Sequence, residues 1–411
     1  MTVLVTGIGG FAGPPVAQAL LASGHAVEGV LRAPLERPRL ARLPLTLHAL
    51  DLLDRERLRA LLAERRPDAV LHLAGLSFAP AAERDPEAAY RANLGGTLAV
   101  LDAVRTAAPR ARVLAVTSAE VYGAVAASEL PIAEDAPLRP FTVYGASKAA
   151  ADLAAAQWSR AYGLDVVRAR PFNQTGAGQD AAFVCAALAR QLARIEVGCQ
   201  EPVVCAGNLD PVRDFSDVRD VAAGYVALLE RGRSGEVYNL CSGTGCSIAE
   251  VVAILRAHAR VAVRVTSDPA LRRALDVPRV VGSHARATRD TGWEPHFAWS
   301  ETLATLLLKT LDLAQVVRAD ASLLEQQLLE CPVLEFHGPT EKHTRAPLER
   351  QARADRLATP RPPRARASPR GRRRACRTMR SVAPSPCHAW PGHGSRPGAG
   401  RRARAGAPGR S

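Results

Sequence analysis

Met1-Thr2-Val3-Leu4-Val5-Thr6-Gly7-Ile8-Gly9-Gly10-Phe11-Ala12-Gly13-Pro14-Pro15 begins as an apolar run and breaks into glycines just before a helical pattern sets in. Glycines at 7, 10 and 13 permit a tight turn, close approach of the backbone to a pyrophosphate, and close packing of the helix on the strand. An anion at that point meets unpaired N–H groups and the positive end of the helix. Prolines 14 and 15 suit the first turn, whose N–H groups have no intrahelical acceptor. Such a turn also occurs in plain loops. Its place between a first strand and a first helix is what points to a dinucleotide, with Gly7, Gly10, Phe11 and Gly13 lining the site.

Outward from this turn, short Val/Ile/Leu-rich runs alternate with longer Ala/Leu/Arg segments of helical period. Strands are expected at residues 2–5, 26–31, 45–49, 69–73, 112–116 and 165–169, and helices between them, as at 54–64 and 86–107. Continuous apolar strands separated by helices predict an α/β fold, a doubly wound parallel sheet of the Rossmann type. Residues 1–170 are read as the NAD(P)-binding domain carrying the catalytic residues. The alternation then loosens, and residues 171–315 are read as a smaller C-terminal substrate domain with helices near 183–196, 218–230, 247–259 and 299–313.

The net charge of +14 is unevenly placed, with 35 lysines and arginines against 34 acids through residue 320, and 19 against 6 beyond it. Residues 321–411 are rich in Arg and Pro and cannot bury enough apolar surface to offset their ordering entropy, so a disordered basic tail is expected. Nucleic-acid binding through this tail is the alternative from another functional class, disfavoured because Trp390 is its one aromatic residue after His337. Met1–Thr6 runs straight into a strand without a targeting pattern, and no apolar run approaches the roughly 20 residues needed to span a bilayer. A cytoplasmic location without membrane partners is expected. The eight cysteines form no C-x-x-C pair, so no metal site is expected.

At the end of the second strand, where an acid would grip a ribose 2′-OH, Val30-Leu31-Arg32 offers a cation. Arg32 can neutralise a 2′-phosphate, so NADP(H) is the expected cofactor and NAD(H) the alternative. Asp51 and Leu52 are placed to meet the adenine, and Leu73 and Ala74 lie along the cofactor. Thr117-Ser118-Ala119-Glu120-Val121-Tyr122-Gly123 follows the fifth strand, and Tyr144-Gly145-Ala146-Ser147-Lys148 opens the next helix. Four residues apart, Tyr144 and Lys148 share a helix face. An adjacent ammonium and a cationic nicotinamide both favour phenolate and are expected to lower the Tyr144 pKa towards working pH, and Ser118 to hold a substrate oxygen beside it.

With these motifs the chain resembles the extended short-chain dehydrogenase/reductase family over roughly residues 1–315. The family's glycine pattern falls on Gly7, Gly10 and Gly13, its structural asparagine on Asn93, and its catalytic set on Ser118, Tyr144 and Lys148. The resemblance implies an enzyme acting on a nucleotide sugar. The intact catalytic set disfavours a non-enzymatic NADP-binding sensor. The series Arg170-Pro171-Phe172-Asn173, Phe183-Val184, Gly207-Asn208, Arg213-Asp214-Phe215 and Tyr238-Asn239-Leu240 is similar to the GDP-6-deoxy-D-mannose reductases, which convert GDP-4-dehydro-6-deoxy-D-mannose to GDP-D-rhamnose. It implies substrate contacts at Glu120, Asn173, Phe183, Val184, Asn208, Arg213 and Arg273. Arg273-Ala274-Leu275-Asp276 departs from the family's Arg-Pro-x-Asp, and Gly176-Ala177-Gly178 from its Gly-Pro-Gly. A 4-epimerase or 4,6-dehydratase that retains NAD(P) is the alternative; Glu120 stands where a dehydratase base sits, but reductases also carry glutamate there. By the same analogy, the apolar face of residues 144–162 implies a homodimer.

Overall fold

The computed structural model describes residues 1–32, 38–272 and 276–319. The expected tail and Arg273 lie outside the described residues. The chain begins with β1 (Thr2–Thr6), α1 (Gly13–Ala22), β2 (Ala26–Leu31), β3 (Thr46–Ala49), α2 (Arg55–Arg65) and β4 (Ala69–His72). Next come α3 (Ala79–Arg84), α4 (Pro86–Tyr90), α5 (Gly96–Ala107), β5 (Arg112–Val116), α6 (Val143–Tyr162), β6 (Val166–Pro171) and β7 (Asn173–Thr175). Then follow α7 (Val184–Glu196), β8 (Val203–Ala206), β9 (Val212–Asp217), α8 (Val218–Arg231) and β10 (Val237–Leu240). The last elements are β11 (Gly245–Ser247), α9 (Ile248–His258), β12 (Arg264–Ser267), β13 (Arg279–Val280), α10 (Ala285–Thr291) and α11 (Trp299–Ala319).

Seven strands form one sheet in the order β3-β2-β1-β4-β5-β6-β10, all parallel. One apolar core includes Val3, Val5, Val16, Leu20 and Tyr225, bringing in α1 and α8. The other holds Leu4, Leu58, Leu62, Val100 and Val104, from α2 and α5. Burial on two faces explains why the strands read as continuous apolar runs. The sheet does not end at residue 170, because β10 returns from the following segment to pair with β6. A third core, including Leu188, Leu192, Val251, Leu255, Leu303 and Leu307, packs α7, α9 and α11 together.

The continuous helix expected over 86–107 is divided by a π-helical turn at Arg91–Gly95. A π turn of this kind marks a position where a side chain is redirected, here Asn93. The helix that bears Tyr144 and Lys148 is bounded by its own sequence. Thr142 Oγ1 accepts from Gly145 N at 2.9 Å, and Gly163 closes the other end at φ +65°.

Asp152 on α6 is fully buried. It accepts from Arg168 at 2.8 Å, from Arg170 at 2.9 Å on both oxygens, and from Thr117 Oγ1 at 3.1 Å. Arg170 also donates to the Tyr122 hydroxyl at 2.9 Å, which itself donates to Asn239 Oδ1 at 2.7 Å. Burial by itself raises the Asp152 carboxyl, but the two guanidiniums outweigh it and hold it below its ordinary range. This stabilisation is therefore complete above the unfolded-chain pKa of about 4 and is lost only as pH falls through the lower folded value. Asp152→Ala leaves two buried cations uncompensated. It is expected to remove about 3–5 kcal/mol of stability at neutral pH in urea unfolding; a loss below about 1 kcal/mol would contradict a central role for the network.

Candidate active site

The glycine turn is built to admit a dinucleotide. Gly7 adopts φ +72°, and a Cβ there would lie 2.6 Å from Ala74 Cα. At Gly13 it would lie 1.8 Å from the Ile8 carbonyl oxygen. Gly7 N donates to Val30 O at 2.8 Å, which fastens the turn to β2. Ala74 N donates to Thr6 Oγ1 at 3.4 Å and Leu73 N to Thr6 O at 3.2 Å, so β1 and β4 present their ends together. Arg32 is exposed and lines a shallow cleft of about 420 Å³ with Ala49, Leu50, Asp51 and Arg57. Asp51 Oδ1 also accepts from Leu53 N at 3.0 Å, while Leu52 packs on the second core. These residues fit a dinucleotide: glycines leave room along the turn, and cations flank its far end.

Ser118, Tyr144 and Lys148 are all buried. The Tyr144 hydroxyl is hydrogen-bonded with Ser118, and Glu120 stands close enough to influence it electrostatically. Ser118 Oγ accepts from Glu120 N at 3.2 Å, shaping the turn after β5. Lys148 Nζ donates to Val116 O at 3.1 Å. The lowering of the Tyr144 pKa expected from Lys148 is absent. Burial pushes this phenol up to about 12, with Glu120 adding to the rise and the Ser118 bond opposing it. Lys148 is instead pulled down to about 8 by its own burial. The physical reason is that both charged forms lose water, and the short contact of the ammonium is to a carbonyl.

Asn93 joins α6 to the loop after β4. Its Oδ1 accepts from Leu76 N at 2.9 Å, and its Nδ2 donates to Ser147 Oγ at 2.8 Å. Ser147 Oγ donates to Tyr144 O at 2.8 Å. A Cβ on Gly75 would lie 2.5 Å from Asn93 Oδ1 and 3.3 Å from Lys148 Nζ, so glycine is required there. His72 lies between Thr6 Oγ1 at 2.8 Å and Thr97 Oγ1 at 3.2 Å. Burial first, and then the Lys148 charge, lower it to about 3 and keep it neutral.

The remaining residues form a second group. Asn173 is exposed at the start of β7, and Val184 is exposed at the start of α7. The Phe183 ring meets Phe78 edge-on at 5.7 Å, which brings α7 against the loop after β4. Arg213 donates to Asp276 at 2.5 Å and to Val277 O at 2.6 Å. Asn208 Nδ2 reaches the other Asp276 oxygen at 3.4 Å. Asn208 and Arg213 are thus brought together through Asp276, whereas Ser118, Tyr144 and Lys148 are held by a different set of bonds. Asp276, the last residue of the quoted Arg-x-x-Asp segment, was not assigned a role by sequence reasoning. Asp152, Arg170 and Arg39 were likewise missed, since nothing local signals their long-range partners. Among the described residues no group of His, Cys, Asp and Glu could hold a metal ion, and no helix is long and apolar enough to cross a membrane.

Residues 4–306 match the family model described as GDP-mannose 4,6-dehydratase. The chain is 40% identical over 305 residues to a GDP-6-deoxy-D-mannose reductase of Pseudomonas aeruginosa, covering 74% of this chain and 95% of that one. It is 33% identical to a UDP-glucose 4-epimerase of Streptomyces lividans, covering 71% and 91% of the two chains. Among solved structures, RMD from Pseudomonas aeruginosa complexed with NADPH superposes with a TM-score of 0.67 at 37% identity, over 76% of this chain and 99% of that one. The Thermus thermophilus UDP-glucose 4-epimerase complex with NAD gives 0.68 at 28% identity, over 75% and 99%.

The protein contains three lysines, 148, 309 and 342. After ¹³C reductive methylation of the cofactor-free protein, the NMR signal abolished by Lys148→Met should titrate near pH 8, well below the ordinary lysine value. Titration of all three signals above pH ~10 would show that Lys148 is hydrated.

Proposed function

Because the chain belongs to the GDP-mannose 4,6-dehydratase family, within the extended short-chain dehydrogenases/reductases, we propose that it is an NAD(P)H-dependent nucleotide-sugar reductase. The reaction proposed is reduction of GDP-4-dehydro-6-deoxy-D-mannose to GDP-D-rhamnose. The observation that carries this is the 40% identity to a reductase over 95% of its length, combined with an intact Ser118/Tyr144/Lys148 set.

Gly7, Gly10, Phe11 and Gly13 would hold the pyrophosphate, Asp51 and Leu52 the adenosine, and Leu73, Ala74, Tyr144 and Lys148 the nicotinamide half. Bound in its reduced form, the cofactor supplies the hydride that the sugar C4 accepts. Ser118 holds the C4 ketone oxygen, and Tyr144 donates its proton to that oxygen. A phenol raised to about 12 is fully protonated at neutral pH, which suits an acid. Lys148, placed one helical turn away, stabilises the phenolate left behind. Asn173, Phe183, Val184, Asn208 and Arg213 would hold the GDP-sugar, with Asp276 orienting Asn208 and Arg213. Arg32, and beside it Arg57, give the cleft at the adenosine end two exposed cations, which favours NADPH over NADH. On α6, exposed Leu153 and Tyr162 are the apolar side chains through which two copies would pair.

A 4-epimerase is the second reading, favoured by the UDP-glucose 4-epimerase relative at 33% identity. The two differ in cofactor balance: a reductase consumes its reduced cofactor, whereas an epimerase restores it within each cycle. Purified protein should oxidise one NADPH per GDP-4-dehydro-6-deoxy-D-mannose, and Tyr144→Phe should lower turnover by ~10²–10⁴-fold with cofactor binding nearly intact. Turnover of a nucleotide sugar without net nicotinamide oxidation would transfer the assignment to a 4-epimerase or 4,6-dehydratase, both of which restore their cofactor within each cycle.

A further inference from the structure

Arg39, in the connection between β2 and β3, joins three segments distant in sequence. Its guanidinium donates to Ala177 O and to Gly178 O, each at 3.1 Å. Its Cζ lies 6.0 Å from the centroid of Phe11, inside the glycine turn. The chain at 176–178 is shaped to receive it. Gly178 adopts φ +83°, and a Cβ there would lie 2.7 Å from Arg39 Cζ. Gly176 sits at φ +158°, with the Phe11 ring 3.9 Å from where its Cβ would stand. The altered Gly176-Ala177-Gly178 segment therefore has a partner of its own.

Among the described residues Arg39 has carbonyls and an aromatic face as partners, but no carboxylate. Although the residue is exposed, loss of water around its guanidinium lowers its pKa. Most other arginines that reach across the fold end on an acid, as Arg65 does on Glu28 and Arg213 on Asp276. A partly dehydrated guanidinium with no acid partner among the described residues, beside a turn shaped for a pyrophosphate, is completed by an anion bound in that turn.

We propose that Arg39 is a cofactor-binding residue, its guanidinium meeting the dinucleotide pyrophosphate at the Gly7–Gly13 turn while its bonds to residues 177 and 178 hold the segment that follows the Asn173-bearing strand β7 beside the same cleft. This rests on the nicotinamide-dependent reading above and adds a residue that couples the cofactor turn to the substrate loop. It differs from the role given to Arg32 in a measurable way, because both NADPH and NADH carry the pyrophosphate and only NADPH carries the 2′-phosphate.

The test is fluorescence titration of NADPH and of NADH into the full chain and into Arg39→Ala, Arg39→Lys and Arg32→Ala, with thermal melts of each. Arg39→Ala should weaken both cofactors by the same factor, roughly 10- to 100-fold, as expected for lost charge-assisted hydrogen bonds. Arg39→Lys should recover part of that loss, and Arg32→Ala should weaken NADPH alone. Unchanged affinity for both cofactors in Arg39→Ala would reduce Arg39 to a clamp between loops and overturn the inference. Loss confined to NADPH would make it a 2′-phosphate ligand and overturn it equally. Failure of the unmodified chain to bind either cofactor would instead remove the nicotinamide reading on which it stands.

Discussion

Asp152 carries its charge where no water reaches, one helical turn beyond Lys148, and the arrangement of the active site depends on what closes around it. Arg168 and Arg170 approach it from β6, and Thr117 from the end of β5, immediately before Ser118. Arg170 continues to the Tyr122 hydroxyl, at the far end of the same turn. The helix that bears Tyr144 and Lys148 is thereby tied to the strand beneath it and to both sides of the Ser118 turn. A buried ion pair adds little net stability compared with an apolar substitute, but breaking one is costly. Its consequence here is placement, since α6 cannot slide along β6 without separating charges in a dry interior.

The same dryness sets the chemistry. Burial raises Tyr144 and lowers Lys148 and His72, in each case favouring the neutral form. A neutral phenol is ready to give a proton, and a lysine near pH 8 can still be charged at neutral pH. Asn93 and the π turn that carries it hold the loop after β4 and the Tyr144 carbonyl through Ser147. Backbone placement at this point is thus provided by side-chain bonds from Asn93 and Ser147.

Much of this was readable from the residues. The apolar runs of β1 to β6 and the glycine turn are local signals, and they led directly to the doubly wound sheet. Ser118, Tyr144 and Lys148 could be singled out as candidates because their spacing is a local property of one loop and one helix. Other features depend on contacts between distant segments. The return of β10 to the sheet edge follows from pairing with β6, which no feature of Val237–Leu240 announces. Asp152 reads in sequence as an ordinary polar residue within an alanine-rich helix. Arg213 was expected to offset a diphosphate, yet it is paired with Asp276, which only the fold brings across from the 270s. The effect expected of Lys148 on Tyr144 is missing for a related reason: proximity on a helix face is visible in the sequence, but the burial of both groups is not.

Direct transfer of hydrogen to the sugar is the central claim, and isotope labelling tests it most directly. NADPH dideuterated at nicotinamide C4 would be incubated with the protein and GDP-4-dehydro-6-deoxy-D-mannose, and the sugar product analysed by mass spectrometry and NMR. A reductase predicts one deuterium in each product molecule, bonded to C4. Product that forms without deuterium at C4, with the label retained on the cofactor, would contradict the account.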